Sequence, residues 1–325
     1  MGQTIIAPPT TFIDYVQIAN ASFTTEAKSY WRDLLKQSKP TDLVLHCKPI
    51  YQHPMASICM REIKLPKKRS QNFTLATVVK TAWAYVLSKW ASTDDVTFGT
   101  LVSGRHFSDQ DLSTVVGPCL NLLPVRVRTA TSGNAPQGLL QQVHDQHLAT
   151  LPFEGTGYNR LITSCTDWAP WTRFSSIVHH QHLDQEDHRV GLIAAENDSA
   201  DLWIVTEPQA DGSALMLELM YSDQVFSAEI IAVLSSCMCE TLEALLNLAP
   251  ESPHLPIQSS LFAALPALPI QPDEFHPSQV QTSHVIENPS SWEAYQQSER
   301  RIHEIVCEAW RSVGLDPIEG LNKPF

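Results

Sequence analysis

The sequence is short of positive charge. Its 325 residues carry 22 Lys and Arg against 35 Asp and Glu, a formal net charge of −13, which repels phosphate backbones and anionic lipid surfaces alike. Neither nucleic acid nor membrane is therefore an expected partner. The chain also lacks any run approaching the roughly 18 apolar residues of a membrane span. Its opening stretch, MGQTIIAPPTTFIDY, has no basic segment ahead of an apolar core, so it does not read as a secretory leader. Ile6 stands where an N-myristoylation signal requires Ser or Thr, which excludes a lipid anchor on Gly2. The expected location is the cytoplasm. Cysteines are seven, without a CxxC spacing, and Cys237 and Cys239 fall within an apolar helical pattern. That composition excludes a disulfide framework and a zinc knuckle and points to reduced core thiols. The sequons at Asn20, Asn72 and Asn197 are then expected to stay unmodified.

What the chain does have is enough apolar content, 43%, to fill one large domain or two of ordinary size. Residues 22–36 predict a helix capped near Thr24 or Thr25, with Tyr30, Trp31, Leu34 and Leu35 as its stripe. SICMREIKL alternates as a half-exposed strand. The clearest helix is FTLATVVKTAWAYVLSKW, whose apolar positions from Leu75 to Trp90 keep helical spacing while Lys80, Ser88 and Lys89 are assigned to other faces. Two β-rich runs follow, VTFGTLVSGR and VVGPCLNLLPVRVR, and then an amphipathic helix over APQGLLQQVHDQHLAT that Pro152 stops. FSSIVHHQHL, WIVTE and ALMLELMYS are further strands, the last two joined by the turn residues PQADGS; a long helix starts at Ser227 and ends before Pro250. This order predicts a mixed α/β layer architecture. From 251 to 290 the composition shifts to Pro, Ser and Gln, a linker unable to fold alone, and WEAYQQSERRIHEIVCEAW predicts a last helix that opens a second domain.

Several of these stretches together resemble the condensation domains of nonribosomal peptide synthetases, particularly those of fungal multimodular enzymes. FIDYVQIANASFTTEAKSYWRDLL resembles the family's tyrosine segment and following helix, VTFGTLVSGR its SGR strand, and VVGPCLNLLPVRVR its Gly-Pro-X-X-Asn-X-X-Pro-X-Arg motif. HDQHLATLPFEGTGYNRL is similar to the family's helix ending in Pro-Phe-Glu, CTDWAPWTRFSSIVHHQ to its next core block, and LELMYSDQVFS to its late strand. The tail SERRIHEIVCEAWRSVGLDPIEGLNKPF is similar to the start of a carrier protein domain.

The resemblance implies a chloramphenicol-acetyltransferase-like fold, two α/β lobes meeting around a tunnel for two phosphopantetheine-tethered acyl groups. It divides the chain into the C-terminal portion of a condensation domain (1–250), the linker (251–290) and an N-terminal fragment of a peptidyl carrier domain (291–325). In the family the catalytic HHxxxDG motif lies in the first lobe, ahead of the tyrosine segment, which here begins at Phe12. The expectation is therefore a part of a synthetase that lacks the catalytic lobe and the carrier serine, and is inactive by itself. The implied reaction is attack of a tethered amine on a donor thioester, with tethered positioning supplying much of the rate. Its cofactor, phosphopantetheine, would sit on partner carrier domains and not on this chain. The expected partners are those carriers, the missing lobe and neighbouring modules, and the fungal character of the blocks suggests a siderophore or toxin as product class.

One stretch imitates the catalytic motif. HHQHLDQ offers His179, His180 and Asp184 as a base and its carboxylate, with His180 the foremost candidate. Yet Gln185 replaces the motif's glycine, and a strand points His179 and His180 to opposite faces. Zinc binding by His179, His180, His182 and His188 is the other reading of the same tract, and no cysteine accompanies it. Tunnel-lining candidates carried over from the resemblance are Arg105, Asn121, Arg126, Tyr221 and Ser222. Each has a structural alternative: Arg105 as an ion-pair partner between lobes, Arg126 as a cross-strand neighbour; Glu154 reads as a turn anchor. Two other functional classes stay open beside the synthetase part, a stand-alone acyltransferase using His180 and a noncatalytic module that docks a carrier domain in trans.

Overall fold

The computed structural model describes residues 10–44, 57–66, 73–129, 135–170, 172–181, 200–248 and 262–268. The elements in chain order are α1 (Phe12–Ala21), α2 (Thr25–Leu35), β1 (Ser57–Lys64), α3 (Leu75–Trp90), β2 (Asp95–Val102), β3 (Asn121–Arg128), α4 (Pro136–Thr150), α5 (Tyr158–Cys165), β4 (Ser176–His180), β5 (Leu202–Pro208), β6 (Ala214–Tyr221) and α6 (Ala228–Leu246). The strands form a mixed sheet in the order β1-β6-β5-β4-β2-β3. β2, β4 and β5 run parallel to one another, while β3, β6 and β1 are antiparallel to their neighbours. The predicted hairpin forms: β5 and β6 pair from Leu202↔Tyr221 to Pro208↔Leu215, and Gly212 turns the chain at φ +68°. β1 is an edge strand. Its outward residues Ile58 and Met60 are more than half exposed, while Ile63 on the other face is fully buried.

The main core lies between one face of the sheet and the helices α3, α4 and α6. Strand alternation supplies its floor, with Val96 and Phe98 from β2, Val178 from β4, Ile204 from β5 and Leu217 from β6. The opposite face carries a second cluster of Phe174, Ile177, Trp203 and Val205 with Leu101 and Leu122. α2 and α5 pack together against β3 through Trp31, Leu35, Leu123 and Leu161. Among the described residues no helix is long and apolar enough to cross a membrane. Cys59, Cys119, Cys165, Cys237 and Cys239 are free thiols.

Caps follow local chemistry. Thr24 closes α2 by accepting from the Ala27 amide at 3.2 Å, and Ser227 does the same for α6. α1 was not among the expected helices. Thr11 and Asp14 form a reciprocal capping box there, which starts a helix that the apolar spacing alone does not announce. α5, also unexpected, holds only 8 residues, too few for a periodic signal.

Two expectations are corrected. Lys80 and Ser88, assigned by spacing to outer faces of α3, are buried at 7% and 5% exposure. α3 is enclosed by α4 and α6 as well as by β2 and β4, so it has almost no outer face. The compact unit also runs past the expected boundary at 250, from Met1 to Asp273. Residues 262–268, assigned to the linker, pack Phe262, Leu265 and Leu268 onto the main core, and Trp90 donates to the Pro266 carbonyl at 2.9 Å. Phe262, Leu265 and Leu268 are partly buried against a ready-made surface, which a linker judged on its own cannot offer. The expected helix at 292–310 and the carrier fragment at 291–325 lie outside the described residues.

Candidate functional site

Four of the motif-bearing stretches meet at one end of the sheet, where β2 finishes and β3 begins. Gly104 turns the chain after β2 at φ +58°. A Cβ there would lie 2.2 Å from the Cys119 carbonyl oxygen and 2.8 Å from the Tyr15 hydroxyl, so only glycine fits. Tyr15, from α1, donates its buried hydroxyl to that same Cys119 carbonyl at 3.0 Å. Burial, then the Cys119 thiol, push the phenol pKa up, with Arg105 opposing them. Arg105 itself donates to the Val115 carbonyl at 2.8 Å. Asn121 opens β3 and donates both amide hydrogens to backbone carbonyls, of Glu154 and of Thr156, each at 2.7 Å. Its own Oδ1 accepts from the Leu122 amide at 3.0 Å. The tyrosine segment, the SGR strand, the Gly-Pro-X-X-Asn motif and the Pro-Phe-Glu turn are thus tied through Tyr15, Gly104, Asn121 and Glu154.

The other candidates lie elsewhere. Arg126 pairs with Thr97 and Tyr221 with Leu202, which puts both near the far end of the sheet. Arg126 is 5% exposed and makes a two-point contact with Asp95, at 2.8 and 2.5 Å. It also donates to the Leu34 and Lys36 carbonyls at 2.9 and 2.8 Å. Tyr221 is buried in the main core, and Ser222, 1% exposed, accepts from the Gln224 amide through Oγ at 3.3 Å. The structure does not bring these three to the junction at Asn121.

His179 and His180 end β4 on opposite faces, as alternation predicts. His180 Nδ1 lies 2.9 Å from the Thr206 hydroxyl. His179 Nδ1 is buried without a hydrogen-bond partner, and burial pulls its pKa down to about 4, so the ring is neutral at physiological pH. The register sets His180 level with Asn121 but two strands away, about 10 Å at the usual strand spacing. Asp184, His182 and His188 lie outside the described residues. Among the described residues no group of three or more His, Cys, Asp or Glu is arranged to hold a metal ion.

Directly behind Glu154 is a crevice that sequence reasoning missed. Lys80 of α3, His147 and Gln146 of α4, Thr100 of β2 and Glu154 line it. Burial lowers Lys80 to about 8, with Glu154 opposing the shift. Burial raises Glu154 to about 7, with Lys80 opposing. Burial, then the charge on Lys80 and the nearby His144 and His106, take His147 down to about 4. A signal was present: a helix apolar on nearly every face is an enclosed helix, and its one mid-helix lysine must be enclosed with it.

Comparison with known proteins gives a consistent picture. The model of the condensation-domain family matches residues 1–260. Nonribosomal peptide synthetase 4 of Gibberella zeae is 32% identical over 253 residues, covering 74% of this chain and 3% of the relative. Enniatin synthase of Fusarium equiseti is 30% identical over 271 residues, 74% of this chain and 8% of the relative. Nonribosomal peptide synthetase nlsA of Emericella nidulans is 29% identical over 329 residues, 97% of this chain and 5% of the relative. The chain therefore spans a small fraction of the curated relatives it matches. A solved structure described as the crystal structure of CT superposes with a TM-score of 0.64 at 23% identity, over 79% of this chain and 59% of that one. The first condensation domain of the calcium-dependent antibiotic synthetase, in complex with a substrate analogue, superposes with a TM-score of 0.57 at 17% identity, over 75% and 57%. The mixed sheet and its helices are accordingly a chloramphenicol-acetyltransferase-like fold of the condensation-domain type.

Proposed function

The chain belongs to the condensation-domain family, and from that premise we propose that residues 1–250 are the C-terminal portion of a condensation domain in a fungal nonribosomal peptide synthetase. In the reaction it serves, the amine of one carrier-tethered aminoacyl thioester attacks the carbonyl of another; the C–N bond forms, the C–S bond breaks, and the amine's proton leaves with a base. The base belongs to an HHxxxDG motif that these 325 residues do not contain, so the chain contributes binding and positioning and not proton transfer. Its partners are phosphopantetheine-bearing carrier domains and the lobe that supplies the base. The product is a secondary metabolite, of which a siderophore is one class.

The observation that carries this reading is the junction, where motifs separated by up to 104 positions close on one another through Tyr15, Gly104, Asn121 and Glu154. Asn121 uses both amide hydrogens on backbone carbonyls, so its part is to hold the Pro-Phe-Glu turn against β3 and shape the tunnel wall near Arg105. The tail at 291–325 is read as the start of a carrier domain, a reading supported by the alignment with nlsA, which runs over 97% of the chain. A stand-alone acyltransferase using His180 gains no support from a ring that contacts Thr206 and stands two strands from Asn121.

The test is the size of the native protein in its source cells, by immunoblot against residues 292–310. A band many times larger than 36.3 kDa is expected. A band at 36.3 kDa, together with amide formation by the purified chain that disappears in His180→Ala, would overturn the reading in favour of a stand-alone enzyme.

A further inference from the structure

Two buried nitrogens on the sheet face opposite the main core have no hydrogen-bond partner among the described residues, Nε1 of Trp203 and Nδ1 of His179. The strands bring them together. β4 and β5 run parallel with Ile177 beside Trp203 and His179 beside Val205, so all four point to the face that carries Phe174. Trp203 stands one strand over from His179 and two residues back, about 8 Å between Cα atoms at the usual spacings. Trp203 is 6% exposed, in one cluster with Phe174, Ile177 and Val205. An indole N–H enclosed in this way ordinarily finds an acceptor. Leaving it and a ring nitrogen unpaired costs folding energy, a local conflict of the kind that functional sites retain.

The same face offers an approach. Pairing sets Ile58, Met220 and Trp203 in one row across β1, β6 and β5. Exposure falls along that row from 56% at Ile58, through a partly buried Met220, to Trp203. The next row holds Met60, Glu218, Val205 and His179, and Met60 is 52% exposed. An apolar track thus leads from the sheet edge towards the two nitrogens, and Met220, unbranched and flexible, is the group that gives way at its inner end. Glu218 beside the track opposes an anionic ligand. Trp203 can only donate, whereas a neutral imidazole has a lone pair to accept with, and burial keeps His179 neutral at physiological pH. A neutral group that both accepts and donates complements the two, and an amide does so within a chain that is otherwise apolar.

We propose that Trp203 and His179 form a hydrogen-bonding station for one amide group of a neutral acyl chain lying along this face: the indole N–H donates to the amide carbonyl, and His179 Nδ1 accepts the amide N–H. The inference rests on the reading of the chain as part of a condensation domain and names there two positioning residues for an amide-bearing tethered chain. No bond is made or broken at the station. It fixes where the chain lies relative to its thioester end.

The experiment is an NMR titration of the full 325-residue chain, labelled with nitrogen-15, near neutral pH. The probes are the S-ethyl thioester of N-hexanoyl-leucine and its isostere with CH2–CH2 in place of the amide CO–NH. The Trp203 Nε1–H resonance, assigned through its proximity to Ile177, is expected to move with the amide probe, which should bind about fivefold more tightly than the isostere. Trp203→Phe and His179→Phe should each remove most of that preference and leave the isostere's affinity unchanged. His179→Phe should also not lower the midpoint of urea unfolding, because the nitrogen it removes has no partner. Equal affinities for the two probes, a preference that survives both variants, or no binding of the amide probe up to its solubility overturns the station. A Trp203 N–H that exchanges magnetisation with a bound water in the unliganded chain assigns the two nitrogens to that water and overturns it as well. Should a variant fail to fold, the movement of the Trp203 resonance in the unaltered chain, amide probe against isostere, decides the same point. The native size of the protein, measured separately, tests the domain reading itself.

Discussion

The two ends of the sheet fasten their loops by different means. At the Asn121 end the ties run mainly from neutral donors to backbone carbonyls: Tyr15 to Cys119, and Asn121 to Glu154 and Thr156. At the opposite end they are ion pairs, Arg126 with Asp95 and Arg173 with Asp201, the latter also bound by the Ser175 hydroxyl. Neutral ties respond little to salt, although Arg105, Glu154 and Lys80 stand close beside them. Ion pairs are stronger per contact but depend on both partners keeping their charge.

The sharpest break in this contrast is expected from Gly104→Ala. The new Cβ would sit 2.2 Å from the Cys119 oxygen that Tyr15 uses, so about 4 kcal/mol of stability should go, read as the midpoint of urea unfolding. A loss below about 1 kcal/mol would mean that the turn relaxes freely. Next comes Arg126→Met. It strands two carbonyls, but Asp95 keeps Arg128 at 3.5 Å and is 40% exposed, which limits the loss to about 2–3 kcal/mol. Asn121→Leu should follow at about 2 kcal/mol, for two carbonyls left unpaired. Raising salt from about 0.1 to 1 M should narrow the Arg126→Met deficit and leave that of Asn121→Leu unchanged; equal salt responses would erase the distinction between the ends. The smallest effect belongs to Tyr15→Phe, about 1 kcal/mol for one neutral hydrogen bond. If it exceeded the Asn121 effect, the ranking of the junction's ties would be wrong.

Much of the fold was legible because it rests on periodicity. The helix over residues 75–90, the β5–β6 hairpin and the cap at Ser227 all stand where alternation, helical spacing and cap chemistry put them. Strand alternation alone also sets His179 and His180 on opposite faces. What stayed illegible depends on neighbours distant in sequence. Lys80 reads as an outer residue until α4 and α6 close over α3, and Asn121 reads as a tunnel amide until the Glu154 and Thr156 carbonyls arrive from 33 and 35 positions away. Phe262, Leu265 and Leu268 read as linker because their partner surface on the core is built by earlier segments. The junction itself was foreshadowed only by the order of motifs, since Tyr15 and Cys119 are 104 positions apart.

β1 has a consequence for how the protein is made. Among the described residues its sole partner in the sheet is β6, and Lys64 meets Ala214 150 positions downstream. On a ribosome adding roughly 5–20 residues per second, that strand waits about 8–30 s as an unsatisfied edge with Ile58 and Met60 on show. Arg61, Glu62 and Lys64 alternate through the same stretch as charges that discourage a neighbouring nascent chain from pairing first. The charges of β1 would thus guard its edge through the interval before its partner exists.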